Sequence, residues 1–390
     1  MKAIELFAGA GGLALGMSGA GFKPVAVIER DRWCCDTIRK NRRNKVAALR
    51  DWPTPIEGDV RIYDFAKHEG QIELVTGGPP CQPFSLGGKH RAHKDDRDMW
   101  PETVRAVRET KPKAFVFENV KGLTRQAFAT YLEYIHLQLR FPEIVRKRFE
   151  TVGGHLARLE RHATSRKRAV LEYDVVFRVL NAADYGVPQR RERVVFVGFR
   201  RDLGLEWSFP APTHSRSALL ASQASGEYWD RHEVARKNRP AAPAFATPID
   251  IFATGTKPWI TVRDALSDLP DPERDPKTAA KFANHVFQDG ARSYPGHTGS
   301  PLDEPAKTLK AGVHGVPGGE NMLLRPDGSI RYFTVRESAR LQTFPDDFVF
   351  HGSWTETMRQ LGNAVPVQLA RVIADGVAAR LRGASRSAAE

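Results

Sequence analysis

The residues best able to do chemistry lie in four short stretches. Gly77-Gly78-Pro79-Pro80-Cys81-Gln82-Pro83-Phe84-Ser85 follows an apolar run, and its prolines fix the backbone that carries a single cysteine. A rigid loop of this kind presents a side chain instead of burying it, so Cys81 reads as a nucleophile. Lys89, His90, Arg91, His93 and Lys94 follow at once, and their positive potential would favour the thiolate and attract phosphate. Cys81, His90 and His93 match no tight zinc spacing, so no metal is expected. Phe117-Glu118-Asn119-Val120 sets a carboxylate at the end of an expected strand, where open α/β sheets bind ligands, and Glu118 could act there on a heterocyclic base. Gln189-Arg190-Arg191-Glu192-Arg193 concentrates three guanidiniums just before another strand. They could hold a carbonyl oxygen or a phosphate; a plain basic turn is the other reading.

The fourth stretch is Phe7-Ala8-Gly9-Ala10-Gly11-Gly12-Leu13. Its glycines let a ligand approach backbone N–H groups at the start of a helix. It departs from the G-x-G-x-x-G dinucleotide fingerprint, because Leu13 and Ala14 follow Gly12, and this counts against a nicotinamide cofactor. Glu29 ends the next apolar run, where an acidic side chain can accept hydrogen bonds from ribose hydroxyls. An ordinary strand-end carboxylate would look the same.

These stretches need elements to hold them. Lys2–Phe7, Pro24–Ile28, Ile72–Thr76 and Ala114–Glu118 read as strands, with helices from Asp31 and across Pro101–Thr110 between them. That alternation predicts parallel strands covered by helices. Tyr173–Asn181 and Val194–Phe199 extend the same sheet. Residues 200–330 then hold 14 of the 26 prolines, with 16 basic and 16 acidic residues, and predict a separate domain without long regular elements. Thr334-Val335-Arg336-Glu337 is a capping-box pattern that opens a helix through Gln342. A last helix begins near Pro366, its apolar stripe of Leu369, Val372, Ile373, Val377 and Leu381 packing on the first domain.

The whole chain has 390 residues and a formal net charge of +13, which suits a polyanionic partner. Its basic excess lies outside the proline-rich segment. Residues 140–168 alone carry nine basic and three acidic residues, which fits either a solvated helix face or phosphate contact. Three cysteines, two of them the adjacent Cys34 and Cys35, build no disulfide framework, so a reducing compartment is expected. Neither a membrane span nor a signal peptide is expected.

In order along the chain, these pieces resemble the C5-cytosine DNA methyltransferase family. Glu5–Gly16 is similar to the family's first motif, Glu29 to its second, Gly58-Asp59-Val60 to its third and Gly77–Ser85 to its Pro-Cys loop. Asp96-Arg97 with Trp100 resembles a loose fifth, Phe117–Val120 the Glu-Asn-Val motif, and Gln189–Arg193 the Gln-Arg-x-Arg-Glu-Arg type. Arg336–Pro345 and Gln360–Pro366 resemble the ninth and tenth. The resemblance covers residues 1–200 and 330–380. The insertion at 140–168 and extra residues around 41–52 depart from it.

The resemblance implies a Rossmann-like S-adenosylmethionine-dependent methyltransferase of α/β class. A discontinuous catalytic domain at 1–199 and 330–390 would flank a target-recognition domain at 200–329, where Pro305–Leu309 resembles a Thr-Leu element. Cys81 would attack cytosine C6, Glu118 bond N3 and the exocyclic amine, and Arg193, with Arg191, bond O2. Around the cofactor it implies Phe7 on adenine, Ala8, Gly9, Gly11, Gly12 and Leu13 in the turn, Glu29 on the ribose, and Asp59 with Val60 at the adenine. Gly78, Asn363 and Ala364 complete that set, with S-adenosylhomocysteine as product. The implied partner is double-stranded DNA, alongside a cognate restriction endonuclease, for a monomer in a bacterial or archaeal cytoplasm. A tRNA cytosine methyltransferase, a catalytically silent DNA-binding module and a nicotinamide oxidoreductase are the competing readings.

Overall fold

A computed structural model describes residues 1–80, 98–165, 171–240, 255–295, 298–311 and 321–387. The chain divides into two compact units. One comprises Met1–Leu180, Glu192–Phe209 and Ala370–Glu390, the other Asn181–Arg191 and Pro210–Leu369.

The first unit is built on a seven-stranded sheet of order β3-β2-β1-β4-β5-β7-β6. Its strands are β1 (Lys2–Leu6), β2 (Lys23–Glu29), β3 (Ile56–Glu57), β4 (Leu74–Gly77), β5 (Ala114–Val120), β6 (Tyr173–Asn181) and β7 (Glu192–Arg200). β1 to β5 pair in parallel, as the alternating pattern predicts. β7 breaks that rule by running antiparallel to β5, with Val120 opposite Arg193 and Glu118 opposite Val195. Central β1, β4 and β5 are almost continuously buried, which is what helices on both faces of a parallel sheet require.

Helices α1 (Gly12–Gly19), α2 (Arg32–Arg43), α3 (Trp100–Thr110), α4 (Ala129–Arg140) and α5 (Val152–Thr164) belong to this unit. Asp31 caps α2 by accepting the Cys34 N–H at 3.0 Å. Trp100 opens α3 and is fully buried, its ring edge-on to Phe117 and Phe196. The last helix, Val367–Ser387, lies from Ala370 onward in the first unit. There it touches α1 so closely that a Cβ on Gly16 would stand 2.4 Å from the Ala370 Cβ. Only glycine permits that approach.

The second unit consists of short elements, as its prolines predict. A three-stranded sheet (Ser300–Pro301, Met322–Leu324, Ile330–Tyr332) and the helices Arg216–Ser225, Val262–Leu266, Val335–Leu341 and Trp354–Asn363 are its main parts. Val262, Leu266, Ala306, Leu309, Leu323, Phe333 and Leu341 form its core. The capping box is present, Thr334 and Glu337 each satisfying the other's backbone N–H. This unit differs from residues 200–329, since it takes in 181–191 and 330–369 and leaves 200–209 to the first unit. Those segments bond to the proline-rich stretch: Arg190 N–H donates to the Ala306 carbonyl, Phe333 N–H to Asn321 and Arg336 N–H to Asn284.

Candidate active site

Parallel register brings the chemical groups of the first unit to one end of its sheet. Leu6 stands opposite both Ile28 and Gly77, and Gly77 opposite Phe117. The glycine turn after β1, Glu29 ending β2, the Gly78-Pro79-Pro80 segment after β4 and Glu118 near the end of β5 therefore share the carboxyl edge, where open α/β sheets bind ligands.

Glu118 is 8% exposed, and its Oε1 lies 2.7 Å from the Arg193 Nε. The antiparallel pairing explains this contact. Arg193 is two residues from Val195, the partner of Glu118, so the two side chains are diagonal neighbours on one face. A Cβ at position 78 would stand 3.2 Å from Glu118 Oε2, so Gly78 leaves that oxygen room. Asn119 donates from Nδ2 to the Pro79 carbonyl at 3.1 Å and fixes the start of the Pro-Pro segment. Beside Gly78 and Pro79 the structure thus holds a carboxylate oriented by a guanidinium. Cys81, the histidines at 90 and 93, Asp96 and Arg97 lie outside the described residues.

Arg191 requires a correction. It is completely buried in the second unit, where Nη1 donates to the Leu309 carbonyl at 3.0 Å and Nη2 to the Gly362 carbonyl at 2.7 Å. Its neighbour Gln189 donates to the Leu341 carbonyl and accepts the Leu309 N–H. Arg191, expected at a ligand carbonyl, instead joins Gln189 in tying three segments of the second unit together, because a buried guanidinium must find acceptors. Asn363 ends the helix Trp354–Asn363 and is exposed, while Ala364 caps it, both in the second unit.

The glycine turn is shaped to admit a ligand. Phe7 and Gly9 both have φ of +54°, and Gly11 has +93°. A Cβ on Gly9 or Gly58 would meet nothing within 4 Å, so both backbones face open space. Glu29 accepts the Gly9 N–H through Oε2 and the Asp31 N–H through Oε1, each at 2.7 Å. Burial pushes its carboxyl above the ordinary range, and those N–H donors draw it back. Asp59 caps the single turn Val60–Ile62, and the Arg61 guanidinium holds its carboxyl down at about 2. Val60 is buried beneath it, and Ala8, Gly12 and Leu13 are buried in the turn. An open backbone cradle, a half-exposed aromatic ring and two strand-end carboxylates fit a ligand with an aromatic base and a ribose, as S-adenosylmethionine has. Among the described residues, no group of three or more His, Cys, Asp or Glu side chains is placed to hold a metal ion.

Two further residues stand beside these groups without a motif role of their own. Glu5 on β1 is buried and accepts the Thr76 hydroxyl on β4, and burial raises its carboxyl to about 8. Trp52 covers the glycine turn, its ring 2.9 Å from where a Gly11 Cβ would stand, with its indole N–H bonded to Ser18. The acidic residue heading the Glu5–Gly16 motif could have signalled the first; nothing near Trp52 signals the second.

Comparison with known proteins agrees on one family. The sequence profile described as C-5 cytosine-specific DNA methylase matches residues 1–141 and 165–378. The chain is 34% identical over 394 residues to the type II methyltransferase M.PspPI of Psychrobacter sp., covering 99% of this chain and 81% of that protein. It is 32% identical to the type II methyltransferase M.NgoMIV of Neisseria gonorrhoeae, covering 95% of each. In fold it is similar to the Dnmt2 methyltransferase of S. pombe, with a TM-score of 0.57 at 16% identity over 98% of this chain and 99% of the other.

Proposed function

The chain belongs to the C-5 cytosine-specific DNA methylase family, and on that basis we propose how its own residues divide the work. The reaction moves a methyl group from S-adenosylmethionine to C5 of a cytosine in DNA. When bound, the cofactor supplies a methyl carbon activated by its sulfonium. Phe7, Gly9, Glu29 and Asp59 would hold it, with Glu29 accepting from the ribose hydroxyls and Asp59 from the adenine amine. The open face at Gly9 and Gly58 supports this.

Cytosine C5 is a weak nucleophile, so the ring must first be loaded with electrons. The Cys81 thiolate adds to C6, breaking the C5–C6 double bond and making C5 enamine-like. Glu118 accepts from the exocyclic amine and holds a proton on N3 as the thiolate adds, so the ring gains the electron pair without a net negative charge, and Arg193, bridged to Glu118, faces O2. After C5 takes the methyl group, a base removes the C5 proton, and the returning electron pair expels Cys81. The target cytosine must leave the duplex stack to be reached, at a cost of about a few kcal/mol. The observation that carries this assignment is the Glu118–Arg193 pair beside Gly78, at the start of the loop that bears Cys81.

The same reading makes the chain a type II modification enzyme of the bacterial cytoplasm. It would act as a monomer and protect host DNA from a cognate restriction endonuclease. Among the described residues no helix is long and apolar enough to cross a membrane. The test is bisulfite sequencing of plasmid from a host without cytosine methylation that expresses this chain, beside a Cys81→Ser control. Protected cytosines in one short recurring sequence, absent in the control, are expected. Uniform conversion in both would overturn the reading.

A further inference from the structure

Residues 142–164 fall between the two segments that match the family profile. They are an addition to the shared catalytic body, and the structure shows how it is fastened. After α4 the chain turns at Phe141–Ile144, runs through a loop to Thr151 and forms α5 against α4. Buried His155 is the bolt. The Tyr134 hydroxyl bonds its Nδ1 at 2.8 Å, and Nε2 meets the Ile144 carbonyl at 2.6 Å. The His162 ring stands edge-on to Phe141, and Leu159 is buried between the elements. This loop is therefore held in place.

The acidic residues around it are engaged elsewhere. Glu150 pairs with Arg158 at 2.8 Å and accepts the Lys147 backbone N–H, which holds its carboxyl down at about 2. Glu143 accepts the Leu171 N–H. That leaves the side chains of Arg146, Lys147 and Arg148 exposed and without an ion-pair partner among the described residues. Beside them Phe149 is 90% exposed, with the Arg148 guanidinium over its ring at 5.3 Å, and Val145 is half-exposed. A phenyl ring so exposed, next to three consecutive uncompensated cations on a fixed loop, matches a polyanion whose charged backbone also carries apolar sugar edges.

We propose that Arg146, Lys147, Arg148 and Phe149 form a second DNA-contacting surface, separate from the catalytic pocket. It grips the phosphate backbone of duplex flanking the target site and adds affinity without sequence preference. The proposal rests on the reading of the chain as a DNA methyltransferase. Arg166, Lys167 and Arg168 lie outside the described residues.

The test uses the full chain, the triple variant Arg146→Gln, Lys147→Gln, Arg148→Gln, and separately Phe149→Ser. All four positions are exposed, so neither variant disturbs a core. Kd is measured against salt for duplexes of about one and about four helical turns around one methylation site, with methyl transfer on each. The slope of log K against log salt should fall by about 2 to 3 in the triple variant on the long duplex, near 0.9 per lost phosphate contact. Its kcat should be unchanged. Phe149→Ser should weaken long-duplex binding severalfold with the slope intact. An unchanged slope and affinity in the triple variant would overturn the proposal. So would loss of binding to phosphatidylglycerol vesicles with DNA binding untouched, which would make the surface a membrane contact. If the unmodified enzyme methylates no duplex, the activity reading itself fails, and this proposal with it.

Discussion

Arg191 and Arg193 stand two residues apart before and within the same strand, yet they serve different units of the molecule. Arg193 meets Glu118 at 2.7 Å on the first unit's sheet, where its charge can be felt by a ligand. Arg191 is spent inside the second unit on the Leu309 and Gly362 carbonyls. Identical side chains thus become the partner of a strand-end carboxylate and a structural clamp. What separates them is whether the acceptor is a carboxylate at a ligand-binding edge or a buried carbonyl.

That contrast can be broken by exchanging the losses. Arg191→Ala should remove two charge-assisted hydrogen bonds and leave buried carbonyls, destabilising the fold by about 4 kcal/mol, read by urea unfolding. Arg191→Lys should not restore it, because one ammonium cannot reproduce the fork. Arg193→Ala should leave the unfolding midpoint nearly unchanged but lower kcat roughly 100- to 1000-fold in single-turnover methyl transfer. Equal loss of stability in both variants would sink the distinction. Next in size, Gly16→Ala forces a Cβ against Ala370 and should cost about 2 kcal/mol, with methyl transfer retained at low temperature.

A last effect, seen only as pH changes, concerns Glu5. Its carboxyl titrates at about 8 in the fold, against an ordinary value of 4.5, so the folded state holds a proton that the unfolded chain releases. The associated stability is complete below about 4.5 and is lost as pH rises toward 8. Its slope approaches about 1.4 kcal/mol per pH unit within that window. Glu5→Gln, neutral at every pH, should remove this slope. Urea unfolding at about pH 5.5 and 7.5 checks it, and an identical pH dependence in the variant would refute it.

Much of the first unit was legible from local pattern. The strands β1, β2, β4 and β5 and the helix from Asp31 lie within a residue or two of where alternation puts them, and in the second unit so does the Thr334–Glu337 capping box. The candidate site was legible as a set of motifs, because Gly-rich turns and strand-end carboxylates announce themselves in a few consecutive residues. Harder to foresee was α4, which no side-chain cap opens; the helix Trp354–Asn363 does carry a start signal, Ser353-x-x-Glu356, whose serine accepts the Glu356 N–H.

The chain by itself determined which segments form strands and helices, that residues 200–330 contain few long ones, and which family's motifs it carries. These properties depend on φ restriction, capping and side-chain periodicity within a short window. Tertiary structure alone decided the antiparallel course of β7, which brings Arg193 diagonally to Glu118. It also decided the enclosure of Arg191, the raised carboxyl of Glu5 and the seat of Trp52 on Gly11. Each of these depends on a partner from 41 to 171 positions away, counted from Trp52 to Gly11 and from Gly362 to Arg191. Burial and pairing at such distances are set by how the elements pack, and no local pattern encodes them.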